Sequence, residues 1–220
     1  MDKEQLKQKY QDEKVLCIPR WYFETAVKSY ENEKALNIAV ANHGWYDLRY
    51  EVEMDETILQ VIPYTVLRHN GKYFVTNRLA GDERLKGMVA FLGGHIDDTD
   101  WVVNHSCKSR ISPYETIVKG LIRELTEETT VKPEQLCTME IVDVFVDNRS
   151  QVSRCHVCEL FVLDTTTDDI AIRETDKLEG AWLTLDELKE KVALGKCEGW
   201  AALTVDYLST LEGVNHDWYF

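Results

Sequence analysis

The sequence predicts an α/β (α+β) fold, a mixed sheet with helices packed on its faces, and three features carry that prediction. Ile58–His69 is a long β-branched and aromatic run that meets a returning strand, Lys72–Asn77, across the turn pair Asn70-Gly71. Pro113 to about Thr129 has helical periodicity and opens on Ser112-Pro113-Tyr114-Glu115, a capping box with proline at the first helical position. Further strands and helices follow it, an order that suits one sheet covered by helices.

Taken along the chain, Asp2–Lys14 is polar and helix-prone, Val15–Pro19 has the composition of a short strand, and Tyr22–Ala41 is helical up to the stop signal Asn42-His43-Gly44. These residues form an N-terminal extension, 1–56, packed on a main domain, 57–220. Met88–Leu92 is a buried strand ending at Gly93-Gly94. Residues 95–111 are polar, without period, and predict a loop. Strands are expected at Thr138–Val146, Arg154–Leu163 and Gly180–Thr184, and helices near Leu185–Leu194 and Trp200–Leu211.

With 25 basic and 39 acidic residues among 220, the formal charge is −14, which excludes a net basic surface for nucleic acid. No apolar run reaches the roughly 18 residues that cross a bilayer. The charged start lacks the apolar core of a secretory signal, so the expectation is a cytoplasmic protein with no membrane partner and reduced thiols. Cys155-His156-Val157-Cys158 has C-x-x-C spacing but lies in an apolar run that predicts a strand. Residues three apart there point to opposite faces, which argues for core packing rather than a shared metal.

The helix at 113–129 carries an apolar stripe of Tyr114, Ile117, Val118, Leu121, Ile122 and Leu125. Glu115 with Lys119, and Arg123 with Glu127, have the spacing of ordinary helix-surface ion pairs. Glu124 and Glu128 do not. They share that spacing with like charge, Glu128 at the edge of the apolar stripe, and no lysine or arginine lies at the right helical position. Their repulsion calls for a distant basic side chain or a cation, and oxygen-only ligands suit Mg²⁺ or Mn²⁺. The plain alternative is an acidic, solvated helix face.

Read in order, Glu115, seven residues, then Arg123-Glu124-Leu125-Thr126-Glu127-Glu128-Thr129-Thr130-Val131 resembles the signature of the Nudix (MutT-like) hydrolases, G-x5-E-x7-R-E-U-x-E-E-x-G-U with U a bulky aliphatic residue. Average residue usage would produce such a match on the order of once in ten thousand chains of this length. Gly93-Gly94 after a strand, Trp182-Leu183 with Leu185-Asp186-Glu187-Leu188, and a last helix near Trp200 extend the likeness from Ile58 to Leu211. Val15–Arg20, Val61–Tyr64 and Gly93–Ile96 are further similar to a bacterial and phage group of predicted MutT-type phosphoesterases. The sequence departs from the signature twice. Ser109 stands where its first glycine belongs, so if Gly94 is the equivalent about 15 residues are inserted before Glu115. Thr130 replaces the glycine at the helix exit, where a β-branched residue resists a left-handed cap.

The resemblance implies a Nudix-type α/β/α sandwich and metal-dependent hydrolysis of a pyrophosphate bond in a nucleoside diphosphate-linked or related small phosphorylated substrate. It implies Mg²⁺ or Mn²⁺ on Glu124, Glu127 and Glu128, with the carbonyl of Gly93 or Gly94 completing the shell. Arg123 becomes a helix anchor or a phosphate clamp and Glu115 a helix-start anchor able to assist a metal-bound water, so that both count with the three glutamates as catalytic residues. Asp143, Asp147 or Glu159 becomes the general base. Arg78, Arg84, Lys86 and His95 are candidates for phosphate contact, set against the more usual readings of a solvated loop and a structural histidine. Trp101, Tyr114 and Trp218-Tyr219-Phe220 suit base stacking, a homodimer or plain packing. Two other uses of the fold compete: an idle nucleotide-binding module, and an isoprenoid-diphosphate isomerase, for which Cys107 and Cys137 are not placed convincingly.

Overall fold

Helix α1 (Lys3–Tyr10) starts from a capping box in which Asp2 and Gln5 each accept from the other's backbone N–H. There follow β1 (Lys14–Pro19), α2 (Arg20–Ala26), α3 (Asn32–His43), β2 (Trp45–Leu48), α4 (Arg49–Val52), β3 (Ile58–His69), β4 (Lys72–Arg78), β5 (Val89–Ala90) and β6 (Leu92–Gly93). Then come α5 (Pro113–Glu128), β7 (Leu136–Phe145), α6 (Gln151–Arg154), β8 (His156–Thr165), β9 (Leu178–Thr184), α7 (Leu185–Ala193) and α8 (Gly199–Gly213). The structure is a computed structural model that describes residues 2–79, 86–104, 111–173, 175–176 and 178–213. Gly81, Arg84, Cys107, Ser109 and the aromatic tail 218–220 lie outside the described residues.

The fold is mixed α+β, and its registered strand pairs are antiparallel. The chain makes two compact units. The first holds residues 1–64, 93–125 and 143–161, and the second holds 65–92, 126–142 and 162–220.

In the first unit the N-terminal residues build sheet. Strand β1 pairs β2 on one side, Leu16 opposite Tyr46, and the start of β3 on the other, Cys17 opposite Gln60. Val15, Leu16, Cys17 and Ile18 are all buried, as expected of a strand covered on both faces. The stretch 22–41, expected as one helix, is two. Phe23 and Ala26 give one buried face and Ala35, Leu36, Ala39 and Val40 another. Between them Tyr30, Glu33 and Lys34 are exposed, so no single apolar stripe spans the join.

On α5 the buried face is Thr116, Ile117, Gly120, Leu121 and Leu125, rotated from the expected stripe so that Tyr114 is exposed. Fully burying Ile117, Leu121 and Leu125 contributes about 1.5–3 kcal/mol each, which seats this face and leaves Glu124 half-buried.

In the second unit β4 runs antiparallel to β9 from Lys72 opposite Thr184 to Arg78 opposite Leu178, and pairs β5 at Thr76 and Ala90. The turn joining β3 to β4 places Asn70 at φ 49° and Gly71 at φ 72°, the left-handed pair that a two-residue hairpin requires. Helix α7 is capped by Thr184, which accepts from the Glu187 backbone N–H while Glu187 accepts from that of Thr184.

The exit of α5 explains how Thr130 replaces glycine. Among the described residues only Gln11 and Asn70 are non-glycine positions with positive φ, so Thr130 makes no left-handed cap. Arg173 caps the helix from outside. Its backbone N–H donates to the Glu128 carbonyl at 2.8 Å, and its Nε to the carbonyls of Thr129 at 2.7 Å and Thr126 at 3.0 Å. A cationic guanidinium on the last carbonyls also complements the helix dipole.

Candidate active site

Gly94 and Glu124 meet closely in the first unit. A β-carbon built on Gly94 would stand well inside 3.0 Å of the Glu124 carboxyl group, nearer than real side chains come. Glycine is therefore what lets this stretch of backbone lie against the carboxylate.

Arg123 organises the neighbourhood. Its Nη2 donates to Asp100 Oδ2 at 2.9 Å and to the His95 carbonyl at 2.8 Å, its Nε reaches both Asp100 oxygens at 3.1 and 3.2 Å, and its Nη1 donates to Glu124 Oε1 at 2.9 Å. Burial opposes the charge on this guanidinium, but its hydrogen bonds to Asp100 and the charge of Glu124 outweigh it and raise its pKa. Two expectations change here. Glu124 does have a cationic neighbour, the adjacent residue rather than one a helical turn away, because Arg123 bends along the helix surface. Arg123 itself engages Asp100, a partner absent from the sequence reading. Asp100 is 1 % exposed and ends the short 3₁₀ turn 98–100, where it also accepts from the Asp97 backbone N–H. With two carboxylates against one guanidinium, this trio keeps a net negative charge.

Of the other expected site residues, Glu115 and Glu127 are exposed and Glu128 half-buried on α5. Arg78 forms an ion pair with Glu198 at 2.5 Å within the second unit. Trp101 stacks on Tyr46 at 5.8 Å between ring centroids, a packing contact. Asp147 is tied to Arg149 at 2.8 Å, which holds its carboxyl below the ordinary range against the opposing effect of burial, and Asp143 accepts from Asn32. Glu159 is the exceptional candidate base. It is 2 % exposed, and burial, with the negative charge of Glu33 adding, pushes its pKa up to about 8.

His95 turns toward His156, with the two Nε2 atoms 3.3 Å apart. Burial lowers the pKa of both rings, so both are neutral near pH 7. Glu53 joins them: one ligand atom from each of the three residues falls within 4.8 Å of the others. The sequence signal that touched this group was the C-x-x-C, whose inner residue is His156. Cys155 and Cys158 are both buried, and the five described cysteines carry no disulfide.

Residues 60–198 match the NUDIX domain model, close to two thirds of the chain. The chain belongs to the Nudix family. The likeness extends outside the signature: the protein YmaB of Bacillus subtilis is 25% identical over 164 residues, covering 73% of this chain and 76% of YmaB. The crystal structure of Tm1382, by its own description a provisional Nudix hydrolase, superposes with a TM-score of 0.73 at 26% identity, covering 90% of this chain and 100% of that one. DR0079 from Deinococcus radiodurans is more distant, at 17% identity and a TM-score of 0.47 over 66% of this chain and 80% of that chain. The Nudix fold is consistent with pyrophosphate-bond hydrolysis. Among the described residues no helix is long and apolar enough to cross a membrane.

Proposed function

We propose that the protein is a cytoplasmic hydrolase that cleaves a pyrophosphate bond in a small phosphorylated substrate, most simply a nucleoside diphosphate linked to another group, with Mg²⁺ or Mn²⁺. Residues 57–220 carry the reaction and 1–56 form an extension on the same sheet; neither nucleic acid nor membrane takes part, and a homodimer is compatible with the chemistry. The apposition of Gly94 and Glu124 carries this reading.

The donor set fits a hard divalent cation. Glu124, Glu127 and Glu128 on one helix, with the Gly94 carbonyl, offer oxygen alone. Held there, the cation would polarise phosphoryl oxygens and acidify a water. The remaining work belongs to the chain. Arg123 is a positioning residue, holding Glu124 in place through Asp100. Glu115 anchors the start of α5, and Arg173 secures its end. Among the candidate bases Asp147 is committed to Arg149, which leaves Asp143 and Glu159. Arg78 and His95 are assigned less direct parts, since Glu198 and His156 already engage them.

The test is turnover of ADP-ribose, dinucleoside polyphosphates, oxidised nucleotides and non-nucleotide pyrophosphates with Mg²⁺ and with chelator, alongside Glu128→Gln. That variant should keep its fold and lose about a hundredfold or more in turnover. Equal turnover in Glu128→Gln, or full activity in chelator, would remove the assignment.

A further inference from the structure

We propose that Glu53, His95 and His156 form a second metal site, for a borderline-soft divalent cation of the zinc class, separate in chemistry from the all-oxygen set on α5. The three come from distant parts of the chain, the end of α4, the loop after β6 and the first residue of β8, yet one ligand atom of each lies within 4.8 Å of the others. For the two histidines the spacing is that of ligands around one ion, and Glu53 is near enough to join them. Two imidazole nitrogens at about 2.0–2.1 Å from a tetrahedral zinc stand about 3.3–3.4 Å from each other. His95 Nε2 and His156 Nε2 are 3.3 Å apart.

The hydrogen bonds set the lone pairs accordingly. His156 Nδ1 lies 2.7 Å from the Val152 carbonyl, which only accepts, so Nδ1 carries the proton and Nε2 presents its lone pair toward His95. A backbone carbonyl on the far nitrogen is the usual support of a metal-bound imidazole. Glu53 is 4 % exposed and fixed by the Tyr10 hydroxyl at 3.0 Å, Arg49 Nε at 3.2 Å and Gln60 Nε2 at 3.5 Å. Arg49 is itself paired with Glu13 at 2.9 Å, so its guanidinium is shared between two carboxylates and does not neutralise Glu53 alone. Gln60 is fully buried, and its Oε1 has no hydrogen-bond partner. A water in the fourth position of the ion would supply that missing donor. The site joins the N-terminal extension to the segment that carries Gly94, and the His95 carbonyl already accepts from Arg123 at 2.8 Å. Occupancy would therefore stiffen the backbone that lies against Glu124.

The full-length protein, stripped with chelator, is titrated with zinc alone and with cobalt alone, the latter as a spectroscopic probe. Every protein tested carries Cys137→Ser, because Cys137 is the exposed thiol among the described cysteines. The expected result is one zinc per chain at this site, a raised melting temperature, and cobalt visible bands of a four-coordinate nitrogen and oxygen site. Those bands should persist in Glu128→Gln, and be lost in His95→Gln and Glu53→Gln with at least a tenfold loss of zinc affinity. His156→Ala is a third variant; should it fail to fold, His95→Gln, whose side chain is not fully buried, decides. Absence of cobalt bands in the parent protein, or bands unchanged in His95→Gln and Glu53→Gln, overturns the proposal. So does loss of the bands in Glu128→Gln, which would place the ion on α5.

Discussion

Glu124 lies so close to Gly94 that no other amino acid fits at position 94 without moving one of them. A glycine and a carboxylate far apart in sequence thus share one small volume.

Gly94→Ala should therefore act through Glu124. The added methyl forces the carboxylate or the loop aside, at a cost of about 1–3 kcal/mol. We expect a lower melting temperature and at least a tenfold loss of turnover. Combining Gly94→Ala with Glu124→Ala should restore much of the stability and none of the activity. A double variant no more stable than Gly94→Ala alone would show that the clash is not with this side chain.

Arg123→Gln leaves Asp100 buried without its guanidinium. Removing one partner of a buried pair costs about 3–5 kcal/mol, reduced here because Arg123 is 25 % exposed. Denaturant unfolding should register a loss of about 2–3 kcal/mol, and Asp100→Asn in the same chain should recover part of it. If Arg123→Gln unfolds at the parent's midpoint, the Asp100 contact contributes nothing to the fold.

Glu159 predicts a pH dependence with a definite sign. Its carboxyl has an ordinary value of 4.5 in the unfolded chain and about 8 in the folded one, so between those values the native state holds the extra proton. Its contribution to stability is then greatest below about pH 4.5 and declines as pH rises to about 8. Glu159→Gln keeps the neutral form at every pH. Compared with the parent, it should melt at a similar temperature at pH 5 and several degrees higher at pH 8.5, at about 2–4 °C per kcal/mol. An unchanged difference between the two pH values rules out a titration at this residue.

Much of the architecture was legible because its signals are local. The hairpin turn at Asn70-Gly71 and the period of α5 each depend on residues within a few positions of one another, and these elements stand within two or three residues of expectation. The break between α2 and α3 was harder to see, since both pieces are helical and only the phase of their buried faces differs. The strand expected from Met88 to Leu92 is two short pieces, β5 and β6.

The sequence by itself determined the family, the helix that carries Glu124, Glu127 and Glu128, and the double glycine that ends β6. Periodicity and signature spacing are properties of neighbours in the chain, so they can be read from the chain. Only the tertiary structure decided that Asp100 holds Arg123, that Arg173 ends the helix where glycine is missing, and that His156 meets His95 and Glu53. Those contacts join residues from 23 to 103 positions apart, and which side chains come together over such distances is set by how strands and helices pack, not by any local pattern.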